Sequence, residues 1–209
     1  MITTPEPAAW TVGFDLDMTL IDSRPGIKAV YDLLAAETGV KIDSDLIVSR
    51  LGPPVEVELA GLFPPEQVQS AADRYRYLYA RHGIAGALLL PGALEALAAV
   101  RDRGGRSIVV TGKQTANARL NLNALDLVVD EVFGLVFAEA KGAVLAEQGA
   151  SVYVGDHLGD VIGAHAAGAL AVAVATGPYT AAELGQAGAE VVLDDLTGFP
   201  AWLDGYLAS

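Results

Sequence analysis

The 209 residues include no cysteine, which excludes disulfides, thiolate-held zinc or iron–sulfur clusters and a thiol nucleophile. Histidine is scarce as well. There are three, and His157 and His165 stand eight residues apart, so no metal-binding pair is offered. Basic residues are few: 13 Lys+Arg against 26 Asp+Glu leave a net charge of −13. Nucleic acid and anionic membrane surfaces would repel such a chain, and neither is expected as a partner. Long apolar runs are missing too. The longest, Ala169 to Ala175, falls far short of the ~20 residues a membrane span needs. The opening MITTPEPAAW has neither the basic stretch nor the apolar core of an export signal, so a soluble, cytoplasmic protein is expected. With 52% apolar and 19% charged residues, disorder is excluded, and the length suits one sizeable core with an insertion.

What is present alternates. Short β-branched runs read as buried strands at Thr11–Phe14, Ser107–Val110, Val132–Val136, Ser151–Val154, Leu170–Ala175 and Val191–Leu193. Amphipathic stretches of helical length lie between most of them, at Ala93–Arg103, Thr115–Leu125, Lys141–Gln148 and Val161–Ala167. Gly104–Gly105, Gly149 and Gly168 follow three of these helices, where a left-handed exit is common. The alternation predicts an α/β fold, a Rossmann-like parallel sheet with helices on both faces. The rhythm breaks from Asp22 to Leu90, where only helix-like segments are found (Gly26–Thr38, Val55–Leu62, Glu66–Arg81), separated by Pro53–Pro54 and Pro64–Pro65. The expected organisation is a core of residues 1–21 and 91–209 with a helical cap, 22–90, inserted after the first strand.

Three strand ends carry candidate chemistry. Phe14-Asp15-Leu16-Asp17-Met18-Thr19 places two carboxylates where open α/β sheets bind ligands, although Asp and Thr are also ordinary turn residues. Ile108-Val109-Val110-Thr111-Gly112-Lys113 runs a strand into a hydroxyl, a glycine and a lysine. It is not a Walker A loop, since Ser107 stands where the first glycine is required and Gln114 follows the lysine. It remains a phosphate-contact candidate or a plain strand-to-helix turn. Gly155-Asp156-His157-Leu158-Gly159-Asp160 spaces two carboxylates by four, on one helical face if the next helix starts there, while either alone is also good capping chemistry. Lys141 precedes a helix, where a solitary lysine is usually solvated. Taken together, the converging carboxylates require a cation, and hard oxygen donors without cysteine favour Mg²⁺.

In this order the four segments resemble the motifs of the haloacid dehalogenase superfamily, and the insert after the first motif resembles that family's type 1 helical cap. The similarity extends through Gly163–Ala169 and Gly188–Glu190 and covers about residues 11 to 196. It implies a Mg²⁺-dependent phosphatase acting on a small phosphorylated metabolite, as a monomer or homodimer. By the resemblance, Asp15 is the nucleophile that forms an aspartyl-phosphate, and Asp17 is the general acid and base. Thr111, Gly112 and Lys113 bind the phosphoryl group with Lys141, and the metal site draws on Asp15, Asp17 (through its backbone carbonyl), Asp156 and Asp160. An acid at position 17 resembles the phosphate-ester branches, because a halide leaves without a proton. Met18 replaces the usual glycine of the motif, which reads as a packing change, and Gly112 replaces the asparagine of the Thr-Asn-Lys in phosphoglycolate phosphatases. A sugar-phosphate mutase of the same superfamily is the alternative; Lys113 leans toward hydrolysis. A non-catalytic relative is disfavoured because every chemical position is filled.

The insert bears on the substrate. Leu51-Gly52-Pro53-Pro54 reads either as a loop reaching over the site or as the start of a helix. Arg74 and Arg81 share one helical face, and a solvated basic face is favoured there over carboxylate binding. His157 is expected at the rim of the site. The insert holds 7 basic and 9 acidic residues, so the surplus negative charge lies in the remainder of the chain.

Overall fold

The computed structural model describes residues 10–208. Met1 to Ala9, which hold most of the segment read above for an export signal, lie outside the described residues. In chain order the elements are β1 (Thr11–Phe14), β2 (Ile21–Asp22), α1 (Arg24–Thr38), α2 (Ser44–Val48), α3 (Val55–Ala60), α4 (Pro65–Leu78), β3 (Leu88–Leu89) and α5 (Ala93–Asp102). Then follow β4 (Arg106–Val110), α6 (Thr115–Ala124), β5 (Glu131–Phe133), α7 (Glu139–Glu147), β6 (Ala150–Gly155), α8 (Leu158–Ala167), β7 (Leu170–Val174), α9 (Ala181–Gln186), β8 (Val191–Leu193) and α10 (Phe199–Leu207).

Six strands form one parallel sheet in the order β5-β4-β1-β6-β7-β8. Alternation along the strands covers both faces. Val12, Phe14, Val109, Val152, Val154, Val172 and Val174 face α5 and α10 through Val100, Phe199 and Leu203. Ile108, Val110, Tyr153 and Ala171 face α7 and α8 through Leu145, Val161 and Ala164. With both faces dry, near-continuous apolar strands are what a parallel sheet demands. The α/β Rossmann-like expectation holds.

The insert has an apolar cluster of its own, in which Ile27, Tyr31 and Leu34 of α1 meet Leu59 of α3 and Ala72, Tyr75 and Leu78 of α4. Only helices are expected there from the sequence, but the insert is not strand-free. β2 and β3 pair antiparallel where the chain enters and leaves it, Ile21 opposite Leu89 and Asp22 opposite Leu88. Strands of two residues carry no periodicity, which is why pattern reading passes over them. α4 stops short of the expected Arg81 and continues as a single π turn, Tyr79–Gly83. There the backbone of Gly83 lies against Gly26, where a β-carbon would sit 1.9 Å from the Gly83 carbonyl oxygen.

Candidate active site

All the quoted motifs end at the carboxyl edge of the sheet, and β1 is central in it. Asp15 and Asp17 leave β1 on a tight turn in which the amides of Leu20 and Ile21 both donate to the Leu16 carbonyl. Met18 takes φ 63° in this turn. A glycine reaches that left-handed region freely, whereas a side chain costs on the order of 1 kcal/mol. The change from glycine is therefore conformational as well as a matter of packing, and the buried Met18 side chain offsets part of it.

Lys141, which alone would read as a solvated residue before a helix and which the resemblance sets beside Asp15, is the third residue of α7 and fully buried. Its ammonium donates to Asp160 Oδ1 at 2.6 Å, Tyr153 Oη at 2.7 Å and Asp15 Oδ1 at 3.0 Å. Tyr153 in turn donates to the Val110 carbonyl at 2.6 Å, so a β6 side chain crosses beneath β1 and props the lysine. A glycine at position 13 makes that crossing possible, since a β-carbon there would lie 2.8 Å from the Tyr153 ring. Burial pulls the Lys141 ammonium down, but the carboxylates of Asp15 and Asp160 outweigh it and hold it charged.

Asp156 and Asp160 do not share a helical face. α8 begins at Leu158, so Asp156 precedes it. Asp160 lies in the first turn, where its Oδ2 accepts the His157 amide at 3.0 Å in a reciprocal cap with the His157 ring. Asp156 Oδ1 accepts the Thr19 hydroxyl at 2.7 Å. Carboxylate oxygens of Asp15, Asp156 and Asp160 lie within 4.8 Å of one another. Three buried carboxylates face a single ammonium. Burial, with Lys141 opposing and Asp160 adding to it, pushes Asp15 up to about 6. Burial and the charges of Asp160 and Asp15 push Asp156 well above the usual carboxylate range. This excess of negative charge on hard oxygens suits a divalent cation.

The Asp17 side chain stands apart from these three. Its Oδ1 accepts both the Ser23 hydroxyl and the Lys113 ammonium, each at 2.5 Å. Lys113 is buried above the Tyr79 ring, 4.5 Å from its centre. Burial lowers Lys113, yet Asp17 more than compensates and holds it raised. Thr111 is buried at the end of β4, its hydroxyl accepting the Lys113 amide at 3.3 Å. Asp15, Asp17, Thr111, Gly112, Lys113, Asp156 and His157 all line one cavity of about 80 Å³, while Lys141 and Asp160 lie behind its wall.

The insert forms the opposite wall. The Gly52–Pro54 loop reaches over the site and ends at α3, so both readings of that segment hold. Gly52 lies against His157, where a β-carbon would come within 2.5 Å of the ring. His157 thus lines the rim, its Nδ1 accepting the Gly159 amide at 2.9 Å. Arg74 and Arg81 do not reach the cavity: Arg74 pairs with Glu37, and both flank the Tyr77 ring on the surface. Sequence reasoning missed Arg76, which does line it. It also gave no role to Tyr153, Ser23 or Thr19. Of these only Thr19 carried a signal, as the hydroxyl closing the first motif.

Residues 12–174 match the family of haloacid dehalogenase-like hydrolases. The chain belongs to that family. Among curated hydrolases, the phosphoglycolate phosphatase of Rhodospirillum rubrum is 31% identical over 91% of this chain and 89% of its own length. That of Caulobacter vibrioides is 27% identical over the same shares. Among solved structures of the fold, a predicted phosphatase from Clostridium acetobutylicum superposes with a TM-score of 0.82 at 22% identity, over 95% of this chain and 100% of that one. No helix among the described residues is long and apolar enough to cross a membrane.

Proposed function

We propose that this haloacid dehalogenase-like hydrolase is a phosphatase that hydrolyses a small, phosphoglycolate-like phosphate monoester through an aspartyl-phosphate on Asp15. The observation that carries the reading is the Asp15 carboxylate itself. Its Oδ1 is held by Lys141, and no hydrogen bond from the described residues reaches Oδ2, which is left as the attacking atom. As Oδ2 bonds to phosphorus, the ester oxygen departs with a proton from Asp17, and Asp17 then takes a proton from the water that releases phosphate. Thr111, the Gly112 backbone and Lys113 bind the phosphoryl oxygens, and Lys141 balances the charge of Asp15 without touching the cavity. Lys113 and Ser23 occupy the Asp17 carboxyl in the structure; an arriving phosphoryl group competes for that ammonium and frees Asp17 for proton transfer. Asp15 and Asp156 would hold Mg²⁺, with the Asp17 carbonyl as a third donor. Asp160 has both oxygens engaged and acts mainly through Lys141. When bound, the ion supplies charge neutralisation between the carboxylates and the phosphoryl oxygens.

The cavity, at about 80 Å³, suits a small substrate. The relatives named above are phosphatases, which weighs against the mutase reading. The test is phosphate release from a panel of esters with Mg²⁺. Turnover of small esters, lost on chelation and in Asp15→Asn, is expected. Interconversion of hexose phosphates without phosphate release would overturn the proposal.

A further inference from the structure

The phosphoryl-binding groups lie on one wall of the cavity, and the opposite wall presents two arginines in different settings. Arg50 is more than half exposed, and its partner Glu58, at 2.8 Å, lines the same cavity, where its carboxylate would face an incoming anion. Arg76 differs. Its side chain is only 10% exposed, yet it lines the cavity. Its ion-pair partners, Glu56 at Nη2 and Asp73 at Nη1, are not among the lining residues and hold the guanidinium from behind. Two of the five N–H donors of the fork are engaged in this way, leaving others for the cavity. The backbone at Arg76 is also fixed to the opposite wall, because Asn117 of α6 donates to its carbonyl at 3.2 Å. A buried cation, supported from behind and pinned across the cavity, is preorganised for an anion entering from the cavity side.

We infer that Arg76 is the specificity-determining residue for a carboxylate on the substrate, placed at the end remote from the transferred phosphoryl group. The inference rests on the phosphatase reading above. The preferred substrate class is therefore a small phosphorylated carboxylic acid, favoured over a neutral ester of the same size.

The test compares 2-phosphoglycolate with 2-hydroxyethyl phosphate, which carries an alcohol in place of the carboxylate, using the full chain with Mg²⁺. The wild-type protein is expected to prefer the acid by about 100-fold in kcat/KM, the scale of a charged hydrogen bond. Arg76→Gln should remove about that factor for the acid, chiefly through KM, while turnover of the alcohol falls less than about fivefold. Retained turnover of the alcohol shows that the variant is folded. Arg76→Lys keeps the charge without the fork, should fold where the glutamine variant does not, and is expected to lose about tenfold for the acid alone. Equal losses on both substrates, or none on the acid, would overturn the inference. A wild-type protein that hydrolyses esters without preferring the acid sinks the role of Arg76 alone. A wild-type protein that releases phosphate from no ester sinks the phosphatase reading itself.

Discussion

At the scale of single residues, Asp17 performs two tasks that a substitution can separate. Its carboxylate is held by Ser23 and Lys113, and that hold survives in part in Asp17→Asn, which still offers an oxygen to both. Proton transfer does not survive. Asp17→Asn should therefore lower kcat for an alkyl phosphate by roughly 10²–10⁴-fold. For an aryl phosphate, whose leaving group departs without a proton, kcat/KM should fall much less, while kcat still falls because the asparagine cannot take the proton of the water that releases phosphate. Values of kcat/KM on an alkyl and a nitrophenyl ester check this; equal losses in kcat/KM on both would assign Asp17 to binding instead. Asp15→Asn removes the attacking atom and should be inactive on both esters. Candidate residues were legible at this scale because chemistry is local in the motifs. Lys141 shows the limit: only the fold makes a chain-local surface lysine into a buried ammonium held by three oxygens.

At the scale of elements, the loop before α3 meets the start of α8 at Gly52 and His157. Gly52 has φ 152°, and any side chain there would strike the imidazole. Gly52→Ala is expected to hold the two walls of the cavity apart, with kcat/KM reduced by about tenfold or more and a melting temperature within a few degrees of wild type. A variant with unaltered kinetics would show that the loop need not close. Gly155 poses the reverse case, since a β-carbon there would lie 2.3 Å from the Asp160 carboxyl inside the packed core. Gly155→Ala should cost about 2–4 kcal/mol in stability, read by denaturant unfolding, because the Asp160 carboxyl it strikes is held in place by Lys141 and the His157 amide. The helices and long strands were readable from apolar period. The β2–β3 pair, α2 and the π turn after α4 were not, because they are short and set by contacts between distant segments.

At the scale of the whole molecule, the acidic surplus has a structural consequence. Burial raises Asp15 from 3.8 to about 6. A carboxyl raised on folding binds its proton more tightly in the native state than in the unfolded chain. Stability from this group is thus fullest below about pH 4, is lost as the pH rises through about 6, and stays lost above it. A divalent cation held by these carboxylates would take the place of that proton. Mg²⁺ is therefore expected to raise the melting temperature more at pH 7.5 than at pH 5, and a chelator should reverse the gain. An equal rise at both pH values, or none, would count against a metal held by these carboxylates.

The sequence by itself determined the parallel α/β core, the family, and which residue types meet at the carboxyl edge of the sheet. Strand alternation and motif spacing are properties of a short stretch of chain, so they can be read without neighbours. Tertiary structure alone decided which basic residue faces the cavity. Arg74, Arg76 and Arg81 lie within eight positions on one helical stretch, and although periodicity puts Arg76 on a different face from the other two, it does not say which face meets the cavity. The distinction arises where α4 packs against α3 and α6, which turns Arg76 inward onto Glu56 and Asn117 and leaves its neighbours in solvent. That choice depends on contacts between segments tens of residues apart, which no local pattern encodes.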